Sequence, residues 1–572
     1  MAPTNDPSQK PPQPATAARR VPRARLVIAA VVALAAALAA GHLVAAFAGP
    51  QASPLLAVGN AAIDLTPSWL KDFAIATFGT ADKIALLVGM GATLVGLAVA
   101  AALASRRSPA PGTVLIAVVG VVGLVAVVTR PDVGRLAALA PLASLVAGVA
   151  TWLLLHRRAL PSTTGPATGP ATATGTATGS ASHPADPEPA DTHLSTDADL
   201  STGTSTPPPD TGTSTSPPGR RRFLVTAGGA AAIAGVAGLA GGVVGGARDA
   251  ASSRASAPPL RARRAPAPPH DADFAKLGTP TFLTPNDAFY RIDTALSVPQ
   301  VPAEDWRLRI HGMVDRELEL TYDDVRRRGL IERQLTLCCV SNQVGGELIS
   351  TATFTGVDLG DLLRDAGVGA GAQQLLSSSS DGWTCGTPID VLLERDRGAM
   401  LALGMNGEPL PLEHGFPARL VVPGLYGYVS ATKWVTDLEV TTWNARRAYW
   451  LDRGWAREAP VKTQSRIDRP SANATMPAGR VIAAGIAWAQ HTGVAKVEVR
   501  LDGGSWQEAT LSADVSDDTW RMWHLALDVD RPGNHRIACR ATDKSGYTQT
   551  SERTGVLPDG ATGHHTITFT TE

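Results

Sequence analysis

Four long apolar stretches dominate the first 160 residues of the chain. They run approximately over residues 25–48, 84–105, 113–129 and 135–155. Each is close to the ~20 residues that an α-helix needs to cross a hydrocarbon layer of ~30 Å. We therefore predict a four-helix transmembrane unit over residues 25–158. The Pro, Ala and Arg content of residues 1–24 predicts a disordered basic tail before it.

Arginine clusters at the ends of these stretches predict their orientation. The clusters are Arg19, Arg20, Arg23 and Arg25 before the first stretch, Arg106 and Arg107 after the second, and Arg157 and Arg158 after the fourth. The positive-inside rule places all three on the cytoplasmic side. Arg130 and Arg135, after the third stretch, do not fit this pattern. The balance favours both ends of the unit facing the cytoplasm.

A linker and a fifth apolar segment follow. Residues 159–219 are rich in Thr, Ser, Gly, Pro and Ala, which predicts a disordered linker. Arg220, Arg221 and Arg222 then precede an apolar segment that ends near residue 247. This pattern resembles a twin-arginine export signal, and it is also typical of a basic flank on a fifth membrane helix. Both interpretations place the rest of the chain outside the cytoplasm. Whether the chain is cleaved after this segment stays open, and we favour a retained membrane anchor.

The remainder of the chain reads as two folded domains. Residues 270–455 combine helical spacing at 357–366 with strand patterns at 418–422 and 435–442, which predicts an α+β domain. Residues 460–572 alternate apolar and polar positions between Gly-containing turns, which is typical of an immunoglobulin-like β-sandwich. The predicted fold class is therefore multi-domain: an all-α transmembrane unit, an α+β domain and a β-sandwich.

Charge and cysteine content narrow the function. Lys and Arg number 51, as do Asp and Glu, so no global charge favours a nucleic-acid partner. The four cysteines are too few for a disulfide framework in 572 residues. An apolar strand leads into Cys338 and Cys339, followed by a Ser-Asn-x-x-Gly-Gly loop. Such a strand end is able to present a thiolate to a soft metal. For Cys385 and Cys539 we favour a core position.

Longer sequence blocks before and after Cys339 extend the pattern around this cysteine. They are Asn286–Arg291, Trp306–Gly312, Asn406–Gly424 with its Asn-Gly-Glu-Pro-Leu-Pro start, and Tyr426–Trp434. In this order and spacing they resemble the molybdopterin-binding domain of the sulfite oxidase family. The resemblance covers roughly residues 275–570 and includes the sandwich, which in that family is a dimerisation domain. It implies a possible homodimer.

The resemblance also implies a cofactor and the residues that hold it. Cys339 would be the single protein ligand of molybdenum, which one dithiolene pterin also coordinates. Cys338 would point the opposite way, since side chains alternate along a strand. Arg419, Lys433 and the backbone around Ser430 and Thr432 would hold the pterin phosphate. The other cofactor contacts that it implies are Asn286, Tyr290, Arg291, Ser379 and His414.

Two departures from the family pattern concern the substrate. Sulfite oxidases place an Arg after the Asn of the cysteine loop and a Tyr before the Asn-Gly-Glu-Pro block, where this chain has Gln343 and Leu403. Neither side chain supplies the charge that binds a dianion. We therefore expect oxygen-atom transfer on a small, uncharged or weakly charged substrate other than sulfite.

The sequence shows no Cys-x-x-Cys-His haem motif, so we expect a separate electron-transfer partner. Two alternatives remain open: a protein-repair sulfoxide reductase, whose type normally lacks the sandwich, and a non-enzymatic surface binding module.

Overall fold

The computed structural model describes residues 21–48, 52–67, 82–130, 135–160, 218–246 and 250–572, together with residues 70, 73 and 77. Most of the predicted tail (1–24) and nearly all of the predicted linker (159–219) lie outside these described residues.

The N-terminal part is helical. Its helices are α1 (Arg23–Ala48), α2 (Pro54–Leu65), α3 (Asp82–Ala104), α4 (Ala110–Val128), α5 (Leu139–Ala159) and α6 (Pro218–Gly246). All of these except α2 contain a span that is long and apolar enough to cross a membrane, judged by length and composition. Helix α2 was not among the predicted helices, and at 12 residues it is too short to span a bilayer.

The helices alternate in direction, so that their basic ends meet. Val21 N donates to Arg106 O at 3.1 Å, and Arg25 Nη1 donates to Ala159 O at 3.4 Å. The arginines that flank α1, α3 and α5 therefore lie at one end of the bundle. Gly112 is required for close packing near that end, because a Cβ there would lie 2.4 Å from the indole of Trp152.

The α+β domain begins earlier than predicted. α7 (Ala250–Ser256) already packs on it, since Arg254 Nη2 donates to Pro409 O at 2.8 Å. The other helices are α8 (Tyr322–Arg326), α9 (Leu359–Ala366) and α10 (Ile389–Leu393). The predicted helix at 357–366 is shorter by two residues, because the preceding strand runs to Asp358. The Asp358 carboxylate then caps α9 by accepting from Asp361 N.

Two sheets form this domain. The strands are β1 (Ala262–Arg263), β2 (Arg307–Gly312), β3 (Leu318–Thr321), β4 (Leu330–Cys338), β5 (Ile349–Asp358), β6 (Gln374–Ser379), β7 (Thr384–Pro388), β8 (Met400–Met405), β9 (Glu408–Pro409), β10 (Arg419–Val421) and β11 (Val435–Thr441). One sheet has the order β1-β4-β5-β8-β10, with β9 on β8, and the other has the order β3-β2-β11-β6-β7. β10 and β11 fall at the two predicted strands.

The C-terminal domain is a pair of β-sheets. The strands are β12 (Gln464–Arg469), β13 (Thr475–Met476), β14 (Gly479–Trp488), β15 (Val494–Leu501), β16 (Gln507–Glu508), β17 (Thr510–Leu511), β18 (Arg521–Val529), β19 (Gly533–Asp543) and β20 (His565–Thr571). The sheet orders are β12-β14-β18-β17 and β13-β20-β19-β15-β16. Val497, Trp523 and Cys539 lie in the core between them. Trp488 and Trp520 instead join the core of the α+β domain, so the two domains pack on each other.

Candidate active site

The end of β4 delivers Cys339 to a cavity. The backbone is fixed there, because Cys339 N donates to Leu348 O at 3.0 Å and Asn342 N donates to Cys339 O at 3.0 Å. The Asn342 side chain closes the loop by accepting from Leu348 N at 2.9 Å. Cys339 lines the cavity, whereas Cys338 is buried in the core of the domain. The alternation of side chains along the strand separates the two thiols.

The C-terminal domain holds this loop from behind. Gly345 has a φ of +82°, and a Cβ there would lie 2.3 Å from the ring of His565. Arg466 Nη1 donates to Gly346 O at 2.8 Å. Gly345 is therefore needed for the turn and for the close approach of the sandwich, and Gly346 leaves room for Asn342, whose Oδ1 would lie 2.6 Å from a Cβ there.

Arg419 is a buried cation on the same cavity. Its side chain is 5% exposed, and its guanidinium donates to two backbone carbonyls, of His414 at 3.2 Å and of Leu420 at 3.4 Å. Within the described part of the chain, no carboxylate lies at salt-bridge distance from it. Burial lowers the pKa of Arg419 to about 10, so the group is still charged at neutral pH. A desolvated charge without a counter-ion favours the binding of an anion.

His414 is neutral beside this charge. Burial, reinforced by Arg419, lowers the pKa of His414 to about 4. Its Nε2 lies 3.0 Å from Asn286 O. A carbonyl oxygen only accepts, so we assign the proton to Nε2, which leaves Nδ1 as an acceptor.

Lys433 is engaged in an ion cluster around Asp293. Asp293 Oδ2 accepts from Lys433 Nζ at 2.9 Å and from Arg291 Nε at 3.0 Å, and Oδ1 accepts from Lys83 Nζ at 2.6 Å. Burial alone would raise the pKa of the Asp293 carboxyl, but the Lys433 and Lys83 ammonium groups hold it well below its usual range. Lys433 thus already has a carboxylate partner, which it shares with two other cations, whereas Arg419 has none among the described residues.

Two further predicted residues face the cavity. Tyr290 stacks on Phe289, with ring centroids 5.4 Å apart. Ser379 ends β6, and its buried Oγ has no hydrogen-bond partner in the described structure. An unsatisfied buried hydroxyl at a cavity wall is a donor and acceptor available to a ligand.

Three predicted residues do not line the cavity: Asn286, Ser430 and Thr432. The prediction for Ser430 and Thr432 concerned the backbone amides around them, and the Ser430 amide donates to Gly427 O at 3.3 Å. Asn286 donates to Glu408 Oε1 at 2.5 Å and accepts from Asn406 Nδ2 at 2.9 Å. The Ser430 hydroxyl donates to Tyr426 O at 3.0 Å. The hydroxyl of Thr432 pairs with that of Ser377 at 2.6 Å. Seven of the predicted residues do line it: Cys339, Tyr290, Arg291, Ser379, His414, Arg419 and Lys433.

The positions that depart from the family pattern also lie away from the cavity. Gln343 is exposed on the outer side of the cysteine loop, and Leu403 is fully buried in β8. Cys385 is buried in β7 beside Thr387 and does not line the cavity.

The cavity has a volume of about 1560 Å³ and extends from Cys339 into the helical bundle. Several contacts join the domain to the bundle at its mouth. Among them are the Lys83–Asp293 ion pair, the Tyr449 hydroxyl, which donates to Asp64 Oδ1 at 2.7 Å, and Arg130 Nη2, which donates to Asp381 O at 3.4 Å. Arg130, which does not follow the positive-inside pattern, thus contacts the α+β domain.

Sequence reasoning did not identify Asp293 or Lys83 as site residues. Asp293 lies two residues after the Asn286–Arg291 block, so its proximity to predicted contacts was a usable signal. Lys83 begins an apolar helix, and nothing in the sequence links it to a residue 210 positions later.

Comparisons with known proteins agree with this geometry. Residues 295–450 match the family model of the oxidoreductase molybdopterin binding domain, and residues 457–557 match that of the Mo-co oxidoreductase dimerisation domain. Fold and site thus define a molybdopterin-binding domain followed by a dimerisation domain.

Individual relatives identify the family to which the chain belongs. Mitochondrial sulfite oxidase of Rattus norvegicus is 30% identical over 317 residues, which are 47% of this chain and 58% of that protein. The uncharacterized oxidoreductase YuiH of Bacillus subtilis is 33% identical over 150 residues, 26% of this chain and 72% of that protein. The chain belongs to the sulfite oxidase family of molybdenum oxidoreductases. The predicted resemblance and the molybdenum–molybdopterin cofactor that it implies are confirmed.

Among solved structures, the sulfane dehydrogenase SoxCD from Paracoccus pantotrophus is 24% identical, with a TM-score of 0.45. The similarity covers 52% of this chain and 85% of that one.

The described residues fit the cofactor. A thiol, an uncompensated guanidinium and an unpartnered hydroxyl, from Cys339, Arg419 and Ser379, all face one cavity. These groups match a soft metal and an anionic, hydrogen-bonding pterin.

Proposed function

We propose that this chain is an oxidoreductase that transfers an oxygen atom to or from a small, uncharged or weakly charged substrate at a molybdenum cofactor. One observation carries the proposal: the buried, unpaired Arg419 faces the same cavity as the Cys339 thiol. A folded protein that binds no anion there would keep a desolvated charge without compensation.

Each cavity residue has a defined task in this proposal. Cys339 holds the metal, and Arg419 holds the pterin phosphate through its fork of donors. Ser379 and the Nδ1 of His414 hydrogen-bond the pterin. Burial raises the pKa of the Cys339 thiol, so metal binding must displace its proton. When bound, the cofactor supplies a two-electron centre that alternates between Mo(VI) and Mo(IV).

The charges of the cavity support the expected substrate class. The cations Lys433, Arg291 and Lys83 all bind Asp293. Arg419 is assigned to the cofactor, and Gln343 lies outside the cavity. Each of the three cations around Asp293 already has a carboxylate partner, so a dianion such as sulfite would have to compete with Asp293 for them.

The arrangement of the bundle supports an extracytoplasmic catalytic domain. The predicted cytoplasmic arginine clusters that the structure describes lie at one end of the helices, and the α+β domain contacts the other end. We propose that the five apolar helices span the cell membrane, with α6, the twin-arginine-like segment, retained as an anchor. The sandwich, which we interpret as immunoglobulin-like, would join two copies of the chain.

Metal and pterin analysis of the full chain tests this proposal. The protein would be made in a host that synthesises molybdenum cofactor and purified in mild detergent. We expect about one molybdenum per chain. Cys339→Ser should lose the metal or change its electron paramagnetic resonance signal, whereas Cys385→Ser, a buried cysteine away from the cavity, should keep both. A wild-type protein with neither molybdenum nor pterin would favour the non-enzymatic binding module.

A further inference from the structure

The cavity that contains Cys339 continues as an apolar channel between helices of the bundle. Its wall on α3 includes Leu86, Met90, Leu94, Leu97 and Ala101. From Lys83 to Ala101 the helix rises about 27 Å, at ~1.5 Å per residue. Helices α1, α2, α4 and α5 complete the channel, which reaches Trp152 near the basic end of the bundle. The channel thus has nearly the length of a bilayer's hydrocarbon layer.

The α3 wall of the channel packs loosely. None of the residues in its 18-residue apolar window is buried within the protein. Gly89, Gly91 and Gly96 have no atom within 4 Å of the place where a Cβ would stand. A wall formed by one weakly packed helix suits a molecule that enters from the lipid phase.

The upper end of the channel is lined by cations that share a carboxylate partner and by aromatic rings. Of the cations there, Lys83, Lys433 and Arg291 bind Asp293. A phospholipid phosphate would therefore have to compete with a buried carboxylate. Aromatic rings also line this end and contact one another in series: Tyr428, Trp455, Trp450 and Tyr449, with centroid distances of 5.5, 6.0 and 5.1 Å.

We propose that this channel binds an isoprenoid quinone of the membrane, with its tail along α3 and its ring among these aromatic side chains. The ring would share a cavity with the Cys339 site, so the quinone would be the electron-transfer partner of the chain. This last part rests on the proposed function. For substrate oxidation the balance is substrate + H₂O + quinone → oxygenated substrate + quinol. The two electrons and two protons released by oxidation reduce the quinone, and the reverse reaction consumes quinol.

Two glycines of α3 provide a matched pair of variants. Gly89 lines the channel, whereas Gly91 does not, although both have space for a side chain. In Gly89→Phe the ring would fill the channel, and in Gly91→Phe it would point toward another side of the helix, about 200° away at ~100° per residue. Both replace a helical glycine, so their effects on the helix itself should be similar.

Binding is measured on the full chain in phosphatidylglycerol vesicles that contain an azido-naphthoquinone with an isoprenyl chain. We expect photolabelling of α3 or α4 peptides in the wild type and in Gly91→Phe, and at least a fivefold loss in Gly89→Phe. Equal labelling of both variants, or labelling that only phospholipid analogues or lipophilic substrates displace, would overturn the proposal.

Two further measurements distinguish a failure of the proposed cofactor site from a failure of the proposed quinone site. Cys339→Ser should still be labelled, because the channel does not need the metal. Loss of molybdenum with retained labelling therefore concerns the Cys339 site alone. Conversely, a molybdenum-loaded wild type that turns over with a soluble dye but shows no labelling would refute the quinone site and leave the proposed function intact.

Discussion

The two ends of the cavity are built in opposite ways. At the Cys339 end, Arg419 is buried and the side chain of Lys433 is 10% exposed, and hydrogen bonds hold both in place. At the other end, the α3 wall has no buried residue in its apolar window. Holding an anionic cofactor requires fixed donors of defined direction, whereas holding an apolar tail requires only volume and the absence of polar groups. The fixed hydrogen bonds are thus concentrated at the end of the cavity where we propose that the chemistry takes place.

The largest effect is expected where the two ends meet, at Asp293. Asp293→Asn would leave Lys433, Lys83 and Arg291 without their carboxylate. Removing one partner of a buried ion pair costs about 3–5 kcal/mol, so we expect a loss of that size in chemical denaturation of the full chain. The matched control is Asp452→Asn, whose pair with Arg447 is exposed and should contribute less than about 1 kcal/mol. Equal effects of the two variants would contradict a structural role for the cluster.

Variants of Arg419 test the Cys339 end of the cavity directly. Arg419→Met should lower cofactor occupancy tenfold to a hundredfold, because it removes a charge-assisted anion contact that contributes about 1.5–3 kcal/mol. Cofactor-free Arg419→Met should nevertheless unfold at a higher temperature than cofactor-free wild type, since an uncompensated buried charge is gone. Pterin content measures the loss of cofactor, and thermal unfolding measures the gain in stability of the cofactor-free protein. Arg419→Lys should keep the charge but bind less cofactor than wild type, because lysine lacks the planar fork of N–H donors of a guanidinium.

The packing of the bundle can be probed with two small substitutions. Gly112→Ala should destabilise the chain by about 1–3 kcal/mol, because its methyl group meets the indole of Trp152. Gly91→Ala should be neutral or stabilise by up to about 1 kcal/mol, since the position is open and alanine favours the helix. Denaturation in detergent compares them. Similar losses in both would show that α3 packs more tightly than the structure indicates.

The smallest effect is a pH dependence from His414. Its folded pKa of about 4 lies below the unfolded value of 6.5, so the unfolded chain binds more protons between these values. The contribution of neutral His414 to the free energy of unfolding is complete above pH 6.5 and is lost as the pH falls toward 4. The loss reaches about 1 kcal/mol at pH 5.5. His565, with a folded pKa also near 4, adds in the same direction. His414→Asn should reduce the slope of unfolding free energy against pH, and an unchanged slope would refute the assignment.

Much of the architecture was accessible from the sequence, because it depends on local patterns. Apolar length predicted four helices within a few residues, and strand periodicity predicted β10 and β11. A contiguous motif also directed attention to Cys339, since the loop after β4 is short and its geometry depends on nearby residues such as Asn342 and Gly345.

The cavity itself depends on contacts that no local pattern encodes. The sequence could not tell that Asp293 pairs with Lys433 while Arg419 has no carboxylate partner among the described residues. Nor could it tell that the side chain of Asn286 binds Glu408 and Asn406. It also could not join Lys83 to the site across 210 positions. Hydrophobic periodicity fixes which face of each element is buried, but partners far apart in the chain are set only when the elements pack. For that reason the sequence by itself determined the five apolar helices, the order of the domains and the candidate thiol, and the tertiary structure alone decided which charges stay unpaired and where the cavity leads.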